Sequence, residues 1–484
     1  MIDRIIKLTL ILLFIFTPVA FGAMDFWAFS LMELGILFIT ILWAIQFGIS
    51  SKLRTPNANL TFIPQSAIRI LQWVLLGLFL CLLLFQMLPL PPGMIKTLSP
   101  KTYELRLFLL RDFSLQPPAF SLQPFHPLSL VPFATQIEFF KWLTLIGLFL
   151  FLQYWDFAGK RGRGMNHFIL VIFTMGVLES LYGMLEVFSG HNQALNIKLG
   201  DSSVAGTFIS RNYFSGYLLM VIPLTIGFLL SREEFQIFRL RGWRNWLPSL
   251  HGKTVLIGFG AVIMILGLLF SASRMGVTSL LFSFSLIIVT LRRGDGGKKM
   301  SRVPVLILAL ALLWAVWVGL DATINRFFTV TEDFESRWAT WVNTFQIIKD
   351  FPLLGSGLGT FTQIFPMYRT YHTVALATHA ENDFLQLTSE VGLAGMGILL
   401  ILFLSFFYKG FSNVRSMSHR NPGRYIGMGS LVGILALMFH SLVEANIQIP
   451  ANAFLFTFIF ALVLRLPDLS HKKWPHEHDA ASTH

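Results

Sequence analysis

Cysteine is almost missing: Cys81 is the single one in 484 residues, and it lies inside an apolar run. That excludes a disulfide framework and a cysteine-held metal centre. Charge is scarce as well, at 13% of residues, where a soluble domain carries about 25%. Acidic residues are the scarcer sign, 25 against 37 Lys and Arg. What fills the chain is apolar, 54% of it, and it comes in runs long enough to cross a bilayer core as helices. A soluble enzyme, a fibre and a disordered chain are thereby excluded. Barrel strands would alternate polar and apolar residues over about 10 positions, and that pattern is not seen. The chain reads as an all-α polytopic membrane protein.

Twelve spans are expected, near 5–22, 27–49, 68–90, 136–155, 168–188, 212–230, 254–271, 275–291, 303–320, 384–407, 425–442 and 450–466. The first has the basic start and small-residue end of a signal peptide, but the short connection after it favours a retained span. Placing both termini in the cytoplasm collects most Lys and Arg on one side. Arg4 and Lys7, Lys160 to Arg163, Arg232 to Lys253, Arg292 to Arg302, and Lys409 to Arg424 all fall there. This Lys/Arg bias is the standard orientation signal for an inner-membrane protein. The surplus positive charge is therefore a topology device, and nucleic acid is not an expected partner.

Four units follow: N-terminal spans over 1–200, a core over 201–407, two last spans over 408–466 and a cytoplasmic tail over 467–484. Two outer segments are too long for turns. Residues 91–135 are proline-rich and read as extended loop around a short amphipathic piece at 101–112. Residues 321–383, between spans nine and ten, form the larger insertion, and loops of that length are usually functional or disordered. Within it Trp338, Trp341, Val342, Phe345 and Ile348 follow helical spacing, with Pro352 just beyond. An amphipathic helix lying on, or packed just above, the membrane face is expected.

Four arginines break the inside bias: Arg211 at the outer start of span six, Arg274 in the turn between spans seven and eight, and Arg337 and Arg369 in the large loop. Each alone reads as a snorkelling interfacial residue. Together they suit an anion, because guanidinium forks bind phosphate oxygens in pairs and stay charged in a poorly solvated site. His379, Glu381, Asn382 and Asp383 cluster where the loop enters span ten. Asp383 reads as a helix cap, which leaves a histidine and a glutamate as candidate general bases. His440 and Glu444, one turn apart at the outer end of span eleven, are placed to join them. Glu33 and Glu179 fall inside spans, where ionisable groups default to functional roles. The Gly-x-Gly-x-Gly run at 355–359 has no strand before it and reads as backbone placement, not a nucleotide loop. Asp333 and Glu335 read as first-turn acids of a helix.

Taken together, Arg337-Trp338, then Phe351 to Phe361 (FPLLGSGLGTF), then Ala380 to Gln386 (AENDFLQ), then Glu390 with Gly392 to Gly395 resemble the O-antigen ligase and polymerase superfamily. The signature covers about 200–405. The resemblance implies a glycosyltransferase of GT-C-like architecture, about twelve spans and one large periplasmic loop, in the bacterial inner membrane. It implies a polyprenyl-diphosphate-linked glycan as donor and a glycan or lipid A core as acceptor, with other polysaccharide-assembly proteins as partners. In the ligases a histidine followed by Asn, Ser or Gln precedes nine residues and Gly-x-x-Gly. Here Asn382, Gly392 and Gly395 fit, but Glu381 occupies the histidine position and His379 stands two residues upstream. Either supplies the base; the expectation leans to His379 with Glu381 orienting it. By the same resemblance Arg211 and Arg274 match the arginines that hold the donor diphosphate. Arg337, Arg369, Asn382, His440 and Glu444 complete the expected substrate contacts.

The expected reaction is inverting transfer with fixed arginines stabilising the leaving diphosphate. The first outer loop carries only Asp25, without the acidic pair of metal-dependent relatives, so no metal and no cofactor is expected. Ligase, polymerase and protein-glycosylating acceptors remain open. The alternative is a transporter of lipid-linked oligosaccharides, whose polar groups would sit near the bilayer midplane, often in repeats.

Overall fold

The computed structural model describes residues 2–53, 67–113, 125–156, 163–189, 203–235, 250–293, 297–318, 330–371 and 377–470, with the short stretches 193–194 and 197–198. The histidines expected in the cytoplasmic tail, and much of the basic inner loops, lie outside the described residues.

The described residues are helical almost throughout, as the apolar runs require, with one short antiparallel pair, Gln193–Ala194 against Ile197–Lys198. The elements are α1 (Ile2–Val19), α2 (Phe26–Leu53), α3 (Ala67–Met87), α4 (Pro92–Leu98), α5 (Pro100–Phe113), α6 (Pro132–Tyr154), α7 (Arg163–Phe188) and α8 (Arg211–Leu230). After them come α9 (Gly252–Phe270), α10 (Arg274–Arg292), α11 (Arg302–Val318), α12 (Val330–Asp350), α13 (Phe361–Ile364), α14 (Asp383–Ser416), α15 (Pro422–His440) and α16 (Pro450–Ser470). Among the described residues, 10 helices are long and apolar enough to cross a membrane. The other two expected spans are helical as well. One is α1, with Asp3, Arg4 and Lys7 in its first turns; the other is α11, 17 residues long.

At the centre lies α8, buried along almost its whole length, with α15 against it. The two backbones touch because both surfaces are small: a Cβ on Gly429 would overlap Pro223 O, and one on Gly227 would overlap Tyr425 O. In a bilayer, where lipid is as apolar as leucine, such close approach drives helix association. Around this pair pack α7, α9, α10, α14 and α16, with α1, α2 and α6 beyond.

In the proline-rich segment α5 falls on the short amphipathic piece expected at 101–112, while α4 stands before it where extended loop was expected. Pro92 and Pro100 explain this, since proline is accommodated in a helix's first turn, where its missing N–H leaves no bond unmade. The expected amphipathic helix is α12, with Trp338, Val342 and Phe345 turned outward. Its other side packs Ile347 and Phe351 onto Phe361, Ile364, Phe365 and Ala380, a small separate core that orders the rest of the insertion.

Glu179 proves structural. Its carboxylate accepts from Thr207 N at 2.8 Å and from the Thr207 hydroxyl, which pins the segment entering α8 onto α7. Glu33 is half-buried with its Oε1 enclosed, and Lys141 and Glu138 of α6 act on it.

Candidate functional site

Two helix N-termini meet at one end of the core. Ser210 caps α8 by accepting from Asn212 N, and Ser273 caps α10 by accepting from Gly276 N. Serine is favoured at both places because its hydroxyl satisfies an orphan N–H of the first turn. The helices are locked side by side by the hydroxyl pair Ser215–Ser271, 3.0 Å apart. A Cβ on Gly276 would press on Ser215. Arg211 and Arg274 are the first residues of these two helices, both half-buried. Two arginines thus begin two adjoining helices at their positive ends, a placement suited to an anion.

Beside them runs the segment that leads into α14. Here the structure exchanges two expected roles. Asn382 is the helix cap: its Oδ1 accepts from Phe384 N and Leu385 N, each at 3.0 Å, while its Nδ2 donates to Leu442 O. The second N–H of its amide is not used by these bonds. Asp383, expected as the cap, is fully buried and reaches across to accept from Asn446 N and Ile447 N, both at 2.9 Å. It holds down the connection between α15 and α16.

That connection carries Glu444. Its Oε1 receives Arg337 Nη1 at 2.7 Å, and the same guanidinium donates to Val443 O. The carboxyl of Glu381 is near enough to act on Glu444. Burial holds Glu444 well above the usual carboxylate range and Glu381 adds to this, while Arg337 opposes it. Glu381 itself is half-buried and adopts a left-handed backbone, φ 51, with its carbonyl accepting from Trp341 Nε1. A non-glycine residue held in that region is uncommon and tends to occur at functional sites.

His379 stands edge-on to the ring of Tyr213, 6.3 Å between centroids. Burial pushes its pKa down, although nearby Glu381 and a hydrogen bond with Gln386 oppose this; its Nδ1 is buried without a partner. Among the described residues no hydrogen bond joins Glu381 to His379, though the carboxyl is near enough to favour the charged imidazole. His440 is fully buried at the end of α15, with Nδ1 2.9 Å from Asn446 Nδ2. It supports the connection from behind. Arg369 belongs to the strap between α13 and α14, where its N–H donates to Phe365 O and its neighbour Tyr371 bonds to Thr340 of α12.

The glycine run is backbone placement of a specific kind. Helix α14 is broken at Gly392, φ 68 and ψ −178, which strips partners from the turn around it. The stretch Pro352–Gly357 supplies them: Ser356 N and Gly357 N donate to Ser389 O and Glu390 O, while Leu393 N and Ala394 N donate to Pro352 O and Leu353 O. A Cβ on Gly355 or Gly392 would overlap the facing backbone. Glu390 accepts from Phe361 N at the start of α13.

Sequence reasoning missed Gln86, Tyr213, Gln386, Asn446 and Asn452. Gln86 closes α3 onto the glycine run, donating to Leu354 O and Glu390 O and accepting from Leu358 N. A lone amide at the outer end of an apolar run was the available signal. Asn452 Nδ2 donates to Tyr213 O, and no spacing in the sequence links those two positions.

An apolar cavity of about 400 Å³ opens between α6, α14 and α16. Trp142, Leu145, Phe149, Leu399, Phe403 and Phe460 are among its walls, and Lys141, Asp383 and Gln448 form its polar side. Asp383 and Ala453 connect it to the cluster, the latter following Asn452.

No curated protein matches the chain in a whole-sequence comparison. Residues 259–400, from α9 to the middle of α14, match the family Wzy_C, described as O-Antigen ligase. The match takes in Arg274, Arg337, His379 and Glu381, so over this part of its length the multi-pass helical protein is similar to the O-antigen ligase family.

Proposed function

We propose that the protein is an inner-membrane glycosyltransferase that moves a glycan from a polyprenyl-diphosphate donor to a sugar hydroxyl at the periplasmic face, with inversion. The observation that carries this reading is the meeting of Arg211 and Arg274 on two adjoining helix N-termini, beside the segment that bears Glu381. The donor diphosphate lies on the arginines and helix ends. Its isoprenoid tail runs into the apolar cavity between α6, α14 and α16. Glu381 takes the proton from the acceptor hydroxyl, whose oxygen attacks the anomeric carbon from the face opposite the diphosphate. The bond to the diphosphate oxygen breaks, and the electron pair departs onto that oxygen. Fixed cations aimed at the leaving group stabilise the charge that develops there. They also supply the charge that a metal would otherwise bring, so no metal is required.

Glu381 is preferred to His379 because it is half-buried and stands near Glu444, which Arg337 holds, while His379 is packed against Tyr213 and Gln386. The test is transfer by purified protein from a lipid-diphosphate donor, with and without chelator. Glu381→Gln is expected to lose about 10²–10⁴-fold, the range for a general base, and His379→Ala much less. Chelator leaves the rate unchanged. The reverse ranking moves the base to His379, and near-wild-type rates in both variants remove it from this segment.

A further inference from the structure

The end of the bundle away from the functional site carries a second pocket, of about 90 Å³, between the start of α3 and the later turns of α6, α14 and α16. Helix α3 sets its depth. Gln86, near one end of α3, bonds to the glycine run beside the functional site, and Arg69 stands near the other end. At roughly 1.5 Å per residue the two are about 26 Å apart, close to the thickness of a bilayer core.

Arg69, Lys409 and Arg465 reach this pocket from three separate helices, and among the described residues no Asp or Glu lines it. Arg465 is held in place by the end of α6, where its Nη1 donates to the Gln153 carbonyl. Gln72 also lines the pocket and is only 6% exposed, yet its Nε2 is buried with no hydrogen-bond partner among the described residues. A buried donor without an acceptor is costly, and such groups ask for an explanation. Trp73 and Tyr154, two further pocket residues, stand 6.3 Å apart between ring centroids. Rings of this kind favour the headgroup level of a bilayer. Membrane topology alone accounts for positive charge on one side. It does not account for three helices bringing their cations to one place, beside a buried amide donor.

These groups suit phosphate oxygens, which pair with guanidinium and ammonium and accept from the amide N–H. With no carboxylate in the lining to take an ammonium, a headgroup of net negative charge is preferred. The walls identify its source. Leu76, Phe149 and Phe406 line both this pocket and the apolar cavity between α6, α14 and α16. A soluble phosphate has no use for such walls, whereas an acyl chain buries against them.

We propose that this pocket binds an anionic phospholipid from the leaflet opposite the functional site. Its phosphate is held by Arg69, Lys409, Arg465 and Gln72 Nε2, and one acyl chain lies along Leu76, Phe149 and Phe406. The site is separate from Arg211 and Arg274, and it stands whether or not the transfer proposed above does. Bound there, the lipid ties α3, which carries Gln86, to α14 and α16.

The test is native mass spectrometry of the full chain, delipidated in detergent and titrated with phosphatidylglycerol, phosphatidylcholine or glycerol phosphate. One phosphatidylglycerol is expected to bind, about tenfold or more tighter than phosphatidylcholine. Arg69→Gln and Lys409→Gln should each weaken it about fivefold, the usual effect of one cation near an anionic headgroup. Gln72→Leu leaves the net charge alone and should weaken it about tenfold, as loss of a bond to a charged group does. Arg293→Gln removes a charge at the same end of the bundle but outside the pocket, and should bind as the wild type. Phosphatidylglycerol should also raise the melting temperature of the wild type more than that of Arg69→Gln, since a ligand stabilises the fold that binds it. Equal binding of the two lipids, wild-type affinity in Gln72→Leu, or a loss in Arg293→Gln as large as that in Arg69→Gln reduces the pocket to diffuse charge and overturns the proposal. Displacement of the lipid by glycerol phosphate at matched concentration overturns it as well, in favour of a soluble phosphate ligand.

Discussion

At the scale of single residues, chemistry was easier to foresee than geometry. Arg211, Arg274 and Arg337 stood out because they broke a charge pattern, and the structure puts the first two on touching helices and the third on Glu444. Asn382 and Asp383 were read with their roles exchanged, since either side chain can cap a helix and only the partner across space decides. Glu444 was noticed for its spacing from His440, yet its partner is Arg337, which no spacing shows. Arg274 gives the sharpest residue-level prediction. Arg274→Ala should abolish transfer while the protein inserts and purifies normally. Arg274→Lys should recover little, because a point charge does not reproduce a planar fork on two phosphate oxygens. The measurement is donor consumption by purified variants. Full activity in Arg274→Ala would reduce this arginine to an interfacial anchor.

At the scale of elements, span positions were legible and helix interruptions were not. Hydropathy runs locate α14, but the run passes through Gly392 without a mark, and the structure breaks the helix there. The glycines of the 355–359 run could be read as backbone placement, though what they were placed against could not. The break predicts a stability effect. Gly392→Ala forces a side chain into a backbone region tolerated by glycine, which costs about 1–3 kcal/mol before any contact is counted. The new Cβ also overlaps the Leu353 carbonyl. Gln86→Leu, on the opposite side of the same junction, leaves Leu354 O and Leu358 N without that partner, at about 1–3 kcal/mol for each group that no replacement satisfies. Both variants should melt earlier in detergent, and both should lose transfer through displacement of the loop that leads to Glu381. Gly397→Ala, in the same helix with open space at its Cβ, is the control and should melt with the wild type.

At the scale of the molecule, the site is assembled from four distant parts of the chain: the start of α8, the start of α10, the insertion from α12 to α14, and the connection after α15. All four lie at the ends of helices on one side of the bundle, so one orientation in the membrane exposes them all or none. Positive charge argues for which. Arg292, Arg293 and Arg302 lie at the ends of α10 and α11 away from the site; Arg415, Arg420 and Arg424 lie between α14 and α15, and Arg465 near the end of α16. Lys and Arg retained at helix ends mark the cytoplasmic side as a rule, and by that rule Arg211, Arg274, Glu381 and Glu444 are expected to face the periplasm. Reporter fusions test this directly. A periplasm-active reporter at Gly355 should be active, and one at Asn421, in the turn between α14 and α15, should be silent. A cytoplasm-active reporter should give the opposite pair. Activity of the cytoplasmic reporter at Gly355 would place the arginines and both glutamates on the cytoplasmic side, away from any periplasmic acceptor, and the proposed transfer would fall with it.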